Sequence, residues 1–577
     1  MDPTIPRPLR IGLLLDSLTQ PVWVNDVLAE VTRSGVAEVA LVILNAAIER
    51  EAQERPPKAR ILARGSAWYR NRRLLPFAAY EKLDAWRYQA VNDPLREVDI
   101  RPHLLPCPVL RVMPRQSRFC DYFEDDAVHE IMAHQLDVAL RFGFRILKGR
   151  ALSIARFGVW SYHHGDNSIN RGGPAGFWEV FEKYPRTGAV LQKLTEELDG
   201  GIVLGRCNSS TNPISPTANR ANYYWQAAAL LQRELRRVQL EGENAVLNWD
   251  HRKSWSPYSS PLYKAPGPIQ TGQLLARVGF RLVRGKAQEW LRKGQWFVAY
   301  SFRPPEPGQE DVPQAILYRF KELLPPPDRY WADPFPVFAD GRYYIFIEEH
   351  PFGSPVAHIS VIEFDMSGAP GLPRPVLKRD YHLSYPFVFR WAGEWYMIPE
   401  TLERNAVELF RATRFPDEWT SMGEMLSGIA ATDPTLAEID GRWWLFTGVV
   451  LPGATEATAL FLFHGPTPLG PWTPHLHNPV KIDVQGARPA GRLFHHAGVW
   501  YRPGQDGSPT YGSATIVHRV QEISESRFHE EPVSRITPSW RPGLRGTHTL
   551  NAAGGLTVVD ALRSIPRLRF LHRSKPR

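Results

Sequence analysis

Five times in the second half of the chain a short apolar hairpin turns on a glycine, at Phe338–Phe346, Phe389–Met397, Glu438–Phe446, Leu493–Tyr501 and Leu550–Val558. The turn glycines, Gly341, Gly393, Gly441, Gly498 and Gly555, lie 52, 48, 57 and 57 residues apart. A glycine between two short apolar runs marks a tight two-stranded turn. One such hairpin cannot bury its apolar face alone, so the repeats must stack, and a period near fifty residues is that of a four-stranded propeller blade. The pattern predicts an all-β five-bladed propeller over residues 295–577, ending in a basic tail.

A second register runs in phase with the first. Asp333-Pro334, Tyr385-Pro386 and Asp433-Pro434 each stand eight residues before their glycine, and Arg488-Pro489 stands ten before its own. The innermost strands are therefore expected to begin at Asp333, Tyr385, Asp433, Arg488 and, in the fifth repeat, His548. Such positions converge on the channel of a propeller. Together with Glu400, they are the candidate substrate-binding residues of this half.

At 577 residues the chain exceeds one compact core. Residues 1–248 open with a strand-helix-strand pattern, Leu9 to Leu15, Val22 to Arg33 and Val39 to Leu44, which predicts an α/β domain with a parallel, doubly wound sheet. A further strand ends near Trp160, and chemistry in open α/β sheets gathers at such carboxyl ends. Residues 249–294, rich in Ser, Pro and Tyr at first and then helical, read as a linker with a helix. Cys107, Cys120 and Cys207 are too few and too scattered for a disulfide framework or a thiolate metal site. No apolar run is long enough to span a membrane, and a cytoplasmic protein is expected. The net charge of +9 leaves room for anionic partners, with nothing that specifies nucleic acid.

The run Gly158-Val-Trp-Ser-Tyr-His-His-Gly-Asp166, then Arg171-Gly-Gly-Pro174, Thr187-Gly188 and Glu197-Leu-Asp-Gly-Gly-Ile-Val203, resembles the formyltransferase family. The resemblance implies a Rossmann-type domain that takes 10-formyltetrahydrofolate as cosubstrate and formylates an amine, on a sugar or glycan precursor. It gives His163 and Asp199 catalytic roles, and assigns Leu194, Glu197, Leu198 and Gly200 to the folate pocket. Formyl transfer passes through an oxyanion that a protonated imidazole beside a carboxylate stabilises. Ser161 stands where that family has Asn, which puts a shorter, freely rotating donor at the oxyanion. Adjacent His163 and His164 on an extended segment point apart, which argues against a metal pair.

Trp331-Ala-Asp-Pro334, Tyr385-Pro386 with Ile398-Pro-Glu400, and Thr432-Asp-Pro434 look like the N-terminal domain of plant glucosamine inositolphosphorylceramide transferases. They are similar, more distantly, to five-bladed arabinanase-like glycosidases. The second likeness implies hydrolytic carboxylates at Asp333 and Asp433, but Glu400 lies between them in sequence and Arg488 stands where an acid is expected. Two readings stay open: a formyltransferase whose propeller binds carbohydrate, or a carbohydrate-binding or glycoside-hydrolysing protein with an inactive formyltransferase-like domain. The oligomeric state has no signature in the sequence.

Overall fold

The computed structural model describes residues 7–48, 50, 72–88, 92–104, 106–166, 169, 171–197, 200–247, 262–304, 308–314 and 316–567. The chain divides into two compact units, Met1–Phe280 with Pro452–Ala454, and Arg281–Leu451 with Thr455–Arg577.

The first unit is built on a seven-stranded sheet. Its strands are β1 (Leu9–Leu15), β2 (Ala37–Asn45), β3 (Val109–Val112), β4 (Val138–Arg141), β5 (Val159–His163), β6 (Arg186–Lys193) and β7 (Ile202–Ser210). They lie in the order β7-β6-β5-β4-β1-β2-β3. β1 to β5 are mutually parallel, as the opening pattern predicts. β6 and β7 are antiparallel to their neighbours, so the sheet is mixed rather than wholly parallel. The reason is local: β6 and β7 follow one another through a short connection, which closes an antiparallel pair, whereas a parallel pair needs a crossover. Helix α1 (Val22–Arg33) buries Trp23, Val24, Val27, Leu28 and Val31 along one face. Helix α2 (Pro216–Glu241) packs on β6, β7 and α1. It starts at Ser215, whose side chain accepts from Ala218 N at 3.0 Å, followed by a proline that has no amide to leave unpaired. Helix α3 (Pro268–Leu291) falls within residues 249–294 and runs into strand β8 (Arg292–Phe302).

The second unit is propeller-like. Four sheets follow in chain order, with the inner hairpins β9 and β10 (Arg329–Ala339, Arg342–Pro351), β11 and β12 (Ser384–Trp391, Glu394–Glu400), β13 and β14 (Ala431–Ile439, Arg442–Val450), and β15 and β16 (Gln485–Pro489, Val499–Asp506). The fifth sheet joins both ends of the unit. β8 pairs antiparallel along its whole length with β18 (Leu556–Pro566), which also pairs with β17 (Leu550–Ala553). Successive inner strands touch, and β17 and β18 return to β9, so the ring closes.

All five hairpins turn through two consecutive residues of positive φ: Asp340-Gly341, Ala392-Gly393, Asp440-Gly441, Ala497-Gly498 and Gly554-Gly555. These are the I′ turns that match strand twist. The inner strands start a few residues before the expected positions, because a bulge intervenes. Asp333, Tyr385 and Asp433 each have φ near +50° (48°, 46° and 50°) and sit in register breaks of β9, β11 and β13. The following proline cannot donate to the neighbouring strand, which is why the ladder breaks there.

Candidate functional site

The strained residues are held by carboxylates. Asp333 N donates to Asp560 Oδ2 at 3.4 Å, Tyr385 N to Asp333 Oδ2 at 3.3 Å, and Asp433 N to Glu400 Oε2 at 3.1 Å. Backbone held at positive φ in non-glycine residues persists where its surroundings over-determine it, and it concentrates at functional sites.

Four sheets each supply one member of the resulting cluster, Asp333, Glu400, Asp433 and Arg488, and His548 joins them from just before β17 of the fifth. Arg488 Nε pairs with Asp433, while Nη2 reaches Glu400 Oε2 at 3.0 Å and Asp433 Oδ1 at 3.3 Å. Gln505 Nε2 donates to Asp433 Oδ2 at 2.7 Å. Burial pushes the Asp433 carboxyl up to about 7; Arg488 opposes that shift and Glu400 adds to it. Burial also raises Asp333 well above the usual carboxylate range, although His548 pulls it down. His548 Nδ1 lies 2.5 Å from Asp560 Oδ2, and Nε2 lies 3.5 Å from Asp333 Oδ1. Burial lowers the imidazole, but those two carboxylates outweigh it and lift His548 to about 9. Asp560 is fixed by His548 N at 2.8 Å and Thr549 N at 3.1 Å. Ligand atoms of Asp333, His548 and Asp560 fall within 4.8 Å of one another, and they could hold a cation once His548 gives up its proton.

The cluster has an open side. Arg488 keeps 21% of its side-chain surface, and Tyr511 is 52% exposed. The Tyr511 ring takes the Arg488 guanidinium at 5.2 Å and meets the edge of His548 at 5.2 Å. Trp296 stacks on His548 at 4.2 Å. Nearby on β9 and β10, Tyr330 Oη donates to Glu348 at 2.7 Å, and His382 Nε2 reaches the same carboxylate at 3.1 Å. A guanidinium, buried carboxyls and a half-exposed aromatic ring side by side offer the donors, acceptors and apolar face that hydroxyl-rich molecules pair with. Sequence reading found the five cluster residues but missed Asp560, Gln505, Tyr511 and Glu348. Each lies outside both the X-Pro register and the hairpin repeats' starting positions.

In the first unit a cavity of about 310 Å³ is lined by Arg141, Lys148, Ser161, His163, Leu194, Thr195 and Glu197 among others. Four of the expected residues, Ser161, His163, Leu194 and Glu197, thus share one pocket. Gly200 lies beside it, with Glu197 on its flank, while Leu198 and Asp199 lie outside the described residues. Ser161 is buried; its Oγ accepts from Arg141 Nη1 at 3.1 Å and donates to Tyr162 O at 3.3 Å, so it is engaged and not free to serve an oxyanion. His164 turns away, stacked on Tyr224 at 3.8 Å, and burial drops it to about 3.

The family described as "Glucosamine inositolphosphorylceramide transferase 1, N-terminal" matches residues 324–545. Glucosamine inositolphosphorylceramide transferase 1 of Oryza sativa subsp. japonica is 35% identical over 212 residues, which cover 36% of this chain and 28% of the relative. The chain therefore spans well under half the length of the curated relatives it matches. Among solved structures, Zg3597, a family 117 glycoside hydrolase from Zobellia galactanivorans, is 14% identical with a TM-score of 0.30, covering 49% of this chain and 98% of that one. Glycinamide ribonucleotide transformylase 1 from Symbiobacterium toebii is 14% identical with a TM-score of 0.27, over 41% of this chain and 89% of that one. Scores this low carry no argument about function. The sequence relatives are named for moving a sugar, which overturns the expectation of a folate-dependent formyltransferase and, with it, 10-formyltetrahydrofolate as cosubstrate. The propeller half of the chain is similar to a domain of glucosamine inositolphosphorylceramide transferases.

Proposed function

We propose that the propeller-like unit is the sugar-recognising part of a sugar-transfer enzyme, with the cluster around Arg488 as its sugar site. The observation that carries this reading is the convergence of Asp333, Glu400, Asp433 and Arg488, from four successive sheets, with His548 beside the exposed ring of Tyr511. A sugar hydroxyl both donates and accepts. Arg488 supplies donors, Glu400 supplies an acceptor, and Asp433, poised about 7, supplies either near neutral pH. The Tyr511 ring gives the apolar face of a pyranose something to lie on. Hydrolysis is disfavoured by the same geometry: Arg488 ties Glu400 and Asp433 together, so neither stands apart as the free acid that a pair separated by about 6.5 to 9.5 Å requires.

The relatives' name makes glucosamine the first sugar to test, followed by inositol phosphates and their glycosides. Saturation-transfer NMR on the intact chain should show transfer to a bound sugar and lose it in Tyr511→Ala. Absence of transfer to every sugar tried would sink the reading. Release of nitrophenol from aryl glycosides that stops in Asp333→Asn would favour hydrolysis instead. The pocket around His163 and Glu197 is proposed as a separate small-molecule site of the first unit, its polar wall formed by Arg141, Lys148 and Glu197.

A further inference from the structure

Helix α3 is apolar on two opposite sides. Thr271, Leu274 and Val278 are buried. At 3.6 residues per turn, Ile269, Phe280, Val283, Trp290 and Leu291 fall within an arc of about 100° on the other side. They are left exposed, Ile269 by 78%, Phe280 by 66%, Val283 by 71% and Trp290 by 81%. Large apolar side chains that stay this open in a contiguous row mark an interaction surface rather than ordinary surface residues.

The charges around the row identify the partner. Arg284 borders it on one edge and Lys286 on the other, both exposed. Within α3 the cations Arg277, Arg281, Arg284 and Lys286 face a single acid, Glu289. Arg277 is engaged, donating to Phe181 O at 3.2 Å. A second copy of the helix laid on this row would set basic edges against basic edges, which repel. A negatively charged lipid surface accepts both features at once: the apolar row enters the acyl boundary while the basic edges meet headgroups. No helix among the described residues is long and apolar enough to cross a membrane, so the contact is one of lying on the surface.

We propose that α3 docks the protein on an anionic membrane surface, with Phe280, Val283 and Trp290 inserted and Arg284 and Lys286 at the headgroups. The test is co-sedimentation of the full chain with vesicles of phosphatidylcholine alone or with added phosphatidylserine. Binding should require phosphatidylserine and weaken as salt is raised. The triple variant Phe280→Ser, Val283→Ser, Trp290→Ser should lose about tenfold or more in vesicle affinity while keeping the circular dichroism and melting curve of the parent. Arg284→Glu with Lys286→Glu should abolish the phosphatidylserine dependence. No binding to either vesicle, or full binding by the triple variant, overturns the proposal. So does light scattering that shows a dimer for the parent and a monomer for the triple variant, which would give the row to a second copy.

Discussion

Asp433 meets three donors, Nε and Nη2 of Arg488 and Nε2 of Gln505, and that crowding sets what a substitution does there. Arg488→Met strands two buried carboxylates and should cost about 3 to 5 kcal/mol in urea unfolding. Adding Asp433→Asn should recover part of the loss, so that the double variant is far from additive. Titration gives a second expectation. His548 is lifted from 6.5 to about 9, so the folded state holds its proton longer than the unfolded chain. Its stabilisation is fully present below about pH 6.5 and is lost as pH rises through about 9. The raised Asp433 acts in the same direction in a lower window, stabilising below about pH 4 and ceasing to do so through about pH 7. Melting temperatures across these ranges should fall with rising pH, with the upper step missing in His548→Gln and the lower one in Asp433→Asn. Asp333, Asp433 and Arg488 were legible in the sequence because an X-Pro step recurs eight to ten residues before a turn glycine, while His548 followed from its place in the fifth repeat and Glu400 from the Ile398-Pro-Glu400 likeness. Asp560 was not, since it stands inside the apolar run Leu556–Ala561 and only the return of β18 to β9 brings it to Asp333.

At the scale of elements, the five turns were legible from their glycines, but the residue before each glycine also adopts positive φ. Asp340, Asp440 and Gly554 suit that conformation; Ala392 and Ala497 do not, since a methyl group there crowds the following carbonyl at a cost of about 1 to 2 kcal/mol. Ala392→Asn and Ala497→Asn should each stabilise the protein by roughly 1 kcal/mol, read as a rise in the urea midpoint at unchanged slope. The reverse change, Asp440→Ala, should lower it. In the first unit the parallel strands followed from apolar runs separated by a helix. The antiparallel edge of β6 and β7 did not, because strand direction depends on the length of the connection, and that lay in a stretch read as pocket-forming turn. His163 and Glu197 nevertheless come to one cavity, since β5 and β6 are neighbours.

For the whole molecule, ring closure matters most. β18 at the end of the chain completes the sheet begun by β8, and it carries Asp560, the partner of His548. A chain ended after Ala553 should therefore lose the propeller's cooperative unfolding and the sugar binding proposed for it together, whereas one ended after Arg567 should keep both. Differential scanning calorimetry distinguishes the two outcomes. The matched region, residues 324–545, stops short of β17 and β18, so the likeness to the relatives covers four of the five sheets and leaves the closing one to this structure. Sugar binding at the cluster joined by Arg488 is the proposal on which the rest depends. It is tested most directly by titrating the intact protein calorimetrically with glucosamine and inositol phosphate glycosides, alongside Tyr511→Ala. Saturable heat is expected for at least one of them in the parent and none in the variant; equal heats in both, or none in the parent for any sugar, would show that the cluster is not a sugar site.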